Sequence, residues 1–210
     1  MSIMAISPID GRYASKTSSL NSYFSEFALI KYRVRVEVEY FLRLTEQPIK
    51  ALEGFPQEAV DDLRNIYLNF SEKDAEKVKG FERITNHDVK AVEYFIKERF
   101  ETLGLTKFSE FIHFGLTSQD INNTSVPMSI KECFDNEWND LFTEILAELE
   151  KMSVLWKDIP MLARTHGQPA SPTRLGKEIF VFAERLRNQK ENLESIPVCG
   201  KFGGATGNFN

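Results

Sequence analysis

The 210 residues carry a net charge of −5 and a pI near 5.4, which argues against a general nucleic-acid binder and leaves room only for a local basic pocket. With 42% hydrophobic and 27% charged residues, the chain has the composition of a globular protein of one large or two small domains. Cys133 and Cys199 lie far apart with no CxxC spacing, which argues against a disulfide scaffold or a zinc site.

Residues 1–20 contain Ser7-Pro8-Ile9-Asp10-Gly11-Arg12-Tyr13 and read as an irregular arm with a tight reversal at Asp-Gly. The start lacks the basic and apolar regions of a signal peptide, and no apolar run reaches the ~20 residues of a membrane span. These features point to the cytoplasm. Arg12 and Tyr13 can hold an anion through charge and hydrogen bonds, or can belong to an ordinary exposed arm.

From Ser25 to about Glu46, Phe27, Ile30, Val34, Val38 and Phe41 recur at helical spacing. The alternation of Val34, Val36 and Val38 would suit a strand, but the segment is long and free of Gly and Pro, and it reads as helix. Pro56 opens a second helix, and Ser71 with Asp74 forms a capping signal for a short charged third. Thr85 with Asp88 has capping-box spacing ahead of a stripe of Val89, Val92, Ile96 and Phe100. Asn86 and His87 then fall in a first turn, where free N–H groups favour an anion; the alternative is a capped helix whose His87 is merely exposed. His113, between aromatics, reads as a packed core histidine.

Thr117 with Asp120 is another capping box, opening the longest helix, to about Trp156, with Pro127 bending it near its start. Its Trp138, Phe142, Ile145, Leu149, Met152 and Trp156 repeat four-three, a seam for packing in a bundle. A polar loop, Met161–Pro172, comes next, with Ser171 as N-cap and Pro172 as first residue of an antiparallel partner helix. That helix carries Leu175, Ile179, Phe182, Leu186 and Leu193. Pro197 ends it, and a Gly-rich tail, Gly200–Asn210, matches neither phosphate-loop nor dinucleotide spacing. The expected architecture is all-α, with an N-terminal helical domain over residues 1–116 and an incomplete helical bundle over 117–210. The loop concentrates Arg164, Thr165, His166 and Gln168, more chemistry than a chain reversal requires.

Thr165-His166-Gly167-Gln168-Pro169-Ala170 between two long bundle helices resembles the fumarase/aspartase superfamily, whose members release fumarate by β-elimination. Four stretches resemble its adenylosuccinate lyase family: Ser7–Tyr13, Thr85–Phe95, Phe111–Asn123 and the Gly-Lys-x-x-Gly-Ala-x-Gly-Asn tail. A Gly-Ser-Gly-Thr-Gln-Thr-Asn stretch, which fumarase and aspartase carry, is missing, and Thr85-Asn86-His87-Asp88 disfavours argininosuccinate lyase.

The resemblance implies a homotetramer around a helical bundle, with active sites shared among subunits and a nucleotide substrate. It implies elimination of fumarate from adenylosuccinate, giving AMP, and from SAICAR, giving AICAR, in purine biosynthesis, without metal or organic cofactor. On it, His166 is the acid that protonates the leaving nitrogen. Asn86, His87 and Asp88 line the site, Arg12 and Tyr13 contact the nucleotide, Thr117 and Ser118 contact the succinyl carboxylate, and Thr165 and Gln168 position substrate. The family's serine base lies in a Ser-Ser-x-Met-Pro-x-Lys-x-Asn-Pro loop with no counterpart here. The chain is therefore expected to be an N-terminal portion, inactive alone and prone to self-association through uncovered seams. The alternatives are another fumarate-releasing lyase of the superfamily and a non-catalytic helical interaction module.

Overall fold

The computed structural model describes residues 3–208; Met1, Ser2, Phe209 and Asn210, the last two belonging to the Gly-rich tail, lie outside the described residues. Contacts gather into two units. One runs to Cys133 and takes in the chain again from Cys199, and the other is Phe134–Val198.

In the first unit a short α1 (Asn21–Phe24) leads into α2 (Glu26–Thr45), whose N-cap Ser25 accepts the Ala28 N–H at 3.1 Å. Ile30, Val34, Val38 and Phe41 of α2 enter the main core, whereas Val36 packs with Val89 and Ile121 in a second cluster. This explains the strand-like alternation of valines. Residues two apart on a helix point to opposite sides, and α2 is covered on both.

The remaining helices are α3 (Ala59–Leu68), α4 (Glu72–Thr85), α5 (Asp88–Thr102) and α6 (Ser118–Cys133). The Ser71–Asp74 capping box is formed in both directions. The α5 stripe of Val89, Val92, Ile96 and Phe100 is buried. Phe100 and Phe55 stand edge-on to Phe41, with ring centroids 4.8 and 5.5 Å away. Each such ring contributes about 1.5–3 kcal/mol through burial. The segment 117–133, grouped with the bundle on sequence grounds, packs as α6 on α2.

In the second unit a π-helical turn, Phe134–Trp138, precedes α7 (Asn139–Leu155), so the expected long helix changes its winding in the middle. The turn and α7 stack Phe134, Trp138 and Phe142 in series, with centroids 4.6 and 4.5 Å apart. α7 pairs with α8 (Leu175–Glu194). The seam reads as core by its spacing but is left uncovered, as the expectation of an incomplete bundle has it: no residue of α7 is buried, and Ile145 is 56% exposed. One partner helix covers only part of an apolar stripe. The closest approach centres on Gly176 of α8, where a Cβ would stand 2.2 Å from the Ser153 carbonyl oxygen.

The expected loop after α7 is a β-hairpin, β1 (Pro160–Thr165) paired antiparallel with β2 (Gln168–Arg174). Ser171 and Pro172 therefore do not start the helix: they are strand residues, and α8 begins at Leu175. Pro169 and Pro172 are tolerated because a two-stranded ribbon consists only of edges. A register shift between Leu162 and Arg164 accommodates them. Among the described residues no helix is long and apolar enough to cross a membrane.

Candidate active site

The first unit builds a polar site where α4 passes into α5. Asn86 adopts a left-handed conformation (φ 52°) as C-cap of α4, and the chain turns at once into α5. Here the sequence expectation needs correcting. The N-cap is His87, not Thr85: His87 Nδ1 accepts the Lys90 N–H at 3.1 Å, while the Thr85 hydroxyl receives the His87 N–H at 3.3 Å. An Nδ1 that accepts carries no proton, so the neutral ring holds its proton on Nε2. Nε2 lies 3.4 Å from Ser118 Oγ, at the start of α6. His87 is half exposed and borders an open pocket with Lys79, Glu82, Arg83, Asn86 and Asp88.

Asp88 anchors this corner. One oxygen accepts the Val89 N–H at 2.9 Å, and the other meets the buried Arg33 guanidinium at 2.7 Å. Arg33 Nε donates to Asn122 Oδ1 at 2.9 Å, tying α2, α5 and α6 together. Burial raises the Asp88 pKa, but the Val89 N–H and Arg33 outweigh it and hold the carboxyl below its usual range.

At the start of α6, Asp120 is fully buried. Oδ2 accepts the Thr117 N–H at 2.8 Å and its hydroxyl at 2.9 Å; Oδ1 accepts Lys201 Nζ at 2.7 Å and the N–H groups of Gly203 and Gly204 at 2.9 and 3.2 Å. Burial opposes the charge, yet Lys201 and the other donors hold the carboxyl far below the ordinary carboxylate value. The expected capping residue is thus a hub that fastens the Gly-rich tail beside Thr117 and Ser118. Sequence reasoning missed Lys201. Its signal lay in the Gly-Lys-x-x-Gly run, but its partner is 81 positions away.

The second unit carries the hairpin residues. His166 and Gly167 form its two-residue turn, both with positive φ (47° and 75°). That is the backbone a tight hairpin requires, with glycine supplying it freely and histidine among the more tolerant other residues. Arg164, Thr165, His166 and Gln168 are all exposed. The His166 imidazole is thereby presented at the exposed tip of the hairpin. In the arm, the Arg12 guanidinium carbon lies 4.9 Å from the centroid of the exposed Tyr13 ring, and the Asp10 carboxylate takes the Ser7 N–H at 2.8 Å. Asn86, His87, Asp88, Thr117 and Ser118 are therefore brought together, whereas Arg12 pairs with its own neighbour. Among the described residues no group of acids, cysteines and histidines has the arrangement of a metal site.

A family model described as Lyase matches residues 11–210. The chain belongs to the lyase family. It is 56% identical to the adenylosuccinate lyase of Dictyostelium discoideum over 99% of its length, and 44% identical to that of Escherichia coli K12 over 100%. The chain spans about half the length of these curated relatives, 46% of each. Among solved structures, a β-carboxy-cis,cis-muconate cycloisomerase from Acinetobacter calcoaceticus matches at TM-score 0.70, with 20% identity, over 91% of this chain and 44% of that one. A fumarate lyase from Mesorhizobium matches at TM-score 0.68, also at 20% identity, over 93% of this chain and 43% of that one. The mostly helical fold expected for a fumarase/aspartase-type lyase is the fold observed.

Proposed function

We propose that this member of the lyase family supplies part of an adenylosuccinate lyase, a C–N lyase of purine nucleotide biosynthesis that eliminates fumarate from adenylosuccinate and from SAICAR. The observation that carries the reading is 56% identity to the Dictyostelium adenylosuccinate lyase across 99% of the chain. The geometry of Asn86, His87, Asp88 and Ser118 supports it.

The chemistry requires a base at the Cβ proton, stabilisation of the resulting carbanion by the adjacent carboxylate, and an acid at the leaving nitrogen. An imidazole titrates close to neutrality and suits the last role. His166 is that acid, with Thr165 and Gln168 orienting substrate beside it. Neutral His87 keeps its N-cap bond and presents Nε2–H to Ser118 Oγ or to a substrate oxygen. Thr117 and Ser118 hold a succinyl carboxylate at the start of α6, where the dipole favours an anion. Arg12 and Tyr13 contact the nucleotide. No organic cofactor is invoked, because the substrate's own carboxylate accepts the charge. The assembly is a cytoplasmic homotetramer with sites shared between subunits, and the base comes from outside these residues.

The test is fumarate release from adenylosuccinate and SAICAR by the polypeptide of family length that carries this chain. Turnover of both supports the proposal. Turnover of a different succinylated substrate alone places the chain in another branch of the superfamily, and no turnover of any favours an interaction module.

A further inference from the structure

Glu37, on α2, is fully buried. Its Oε1 lies 2.5 Å from His113 Nδ1, and among the described residues its Oε2 has no hydrogen-bond partner. A buried ion pair is a poor source of net stability, since desolvation offsets the attraction and an apolar pair often does as well. His113 is also held in the left-handed region, at φ 60°. Histidine tolerates that region better than most side chains, but the conformation still costs something beside glycine and persists where the surroundings hold it. A residue so held and tied to a half-satisfied buried carboxylate needs an explanation other than packing.

The five residues after His113 supply that explanation. Tyr40, three residues after Glu37 and on the same face of α2, donates its hydroxyl to the Phe114 carbonyl at 2.9 Å. Gly115 continues the turn at φ 71°, and the Leu116 N–H closes it on the His113 carbonyl at 3.2 Å. The next two residues are Thr117, fastened to Asp120, and Ser118, at His87 Nε2. Two side chains of one helix face thus grip two consecutive residues at the stem of the turn that delivers Thr117 and Ser118.

We propose that Glu37 and His113 are positioning residues: their pair, with Tyr40, sets where Thr117 and Ser118 stand at the start of α6. The carboxylate-holding role of Thr117 and Ser118 rests on the lyase reading, but the positioning does not. Burial works against the charge on His113, yet the bond to Glu37 prevails and its pKa lies above the ordinary imidazole value. Burial likewise pushes Glu37 up, against the pull of His113. The other ionisable groups facing the pair are Tyr40 on α2 and Glu93 and Lys90 on α5. Lys90 also supplies the N–H that His87 accepts, so the same cluster borders both halves of the site.

The chain has three histidines, so side-chain nitrogen NMR on the 210-residue protein can follow each ring separately. The expected result is a His113 midpoint that falls by about one pH unit or more in Glu37→Gln, as removal of an opposite charge requires. The Thr117 and Ser118 amide signals of the unsubstituted chain should shift with the His113 midpoint. His113→Asn tolerates the left-handed backbone and can still donate to Glu37, so it should keep the wild-type Thr117 and Ser118 signals, whereas His113→Ala should displace them. A merely structural pair would leave Thr117 and Ser118 indifferent to His113 titration, and that result overturns the proposal. Equal displacement by Asn and Ala, or none by either, overturns it as well and stays readable if Glu37→Gln does not fold. The lyase reading fails in a separate assay, fumarate release, which none of these measurements uses.

Discussion

Replacing Asp120 by Asn keeps the shape of the side chain and removes its charge and one acceptor oxygen. In the native chain the two carboxylate oxygens receive five donors from Thr117, Lys201, Gly203 and Gly204. An asparagine oriented to satisfy the Lys201 side turns its NH2 toward the Thr117 N–H, leaving that half-buried donor unpaired. Hydrogen bonds to a charged group contribute about 1.5–3 kcal/mol each, but Lys201 is 37% exposed and regains water when released. The expected loss is about 2–4 kcal/mol. Urea unfolding followed by circular dichroism at neutral pH measures it. The Asp120 pKa is depressed on folding, so its stabilisation is fully present above the unfolded carboxylate value and is lost as pH falls through the folded one. The gap between wild type and Asp120→Asn should therefore narrow on acidification below about pH 4. A neutral-pH loss under about 0.5 kcal/mol, of the size expected for an unremarkable surface change, would refute the hub as described.

Gly176→Ala should lower the stability of the α7–α8 pair by about 1–3 kcal/mol, because the new methyl meets the Ser153 carbonyl and the Lys157 backbone within 2.6 Å; thermal unfolding that leaves the midpoint unchanged would contradict the close approach. Ser71→Ala should cost about 1 kcal/mol by removing the hydroxyl that accepts the Asp74 N–H and donates to its carboxylate, while the bond from the residue-71 N–H to Asp74 remains; chemical denaturation checks it, with Ser71→Asp restoring most of the loss. His87→Ala should fray the first turn of α5, seen as faster amide exchange at Lys90, while His87→Asn, a good capping residue, should protect it.

The helices of the first unit were legible because their apolar spacing and caps are local. Ser25 and Ser71 cap α2 and α4. The misreadings arose where two local signals competed. Thr85 has capping-box spacing to Asp88, but the histidine two residues on supplies the cap through a ring nitrogen, an acceptor that the usual cap residue types do not advertise. In Met161–Pro172 two prolines and a glycine read as loop chemistry. The antiparallel pairing that makes it a hairpin depends on positive φ at both His166 and Gly167, and only the glycine advertises that. The links that assemble the site join distant positions: Glu37 to His113 across 76 positions, Arg33 to Asp88 across 55, Asp120 to Lys201 across 81. No spacing rule reaches that far. Fold and family resemblance marked the residues, and packing alone showed which of them touch.

The central claim is tested most directly by His166→Asn in the polypeptide of family length that carries this chain. Asparagine accepts the left-handed turn backbone, so the hairpin should persist with an unchanged unfolding midpoint. Fumarate release from adenylosuccinate should fall about 10²-fold or more, as loss of a general acid requires. Activity at the wild-type level would contradict the assignment of His166 as the proton donor.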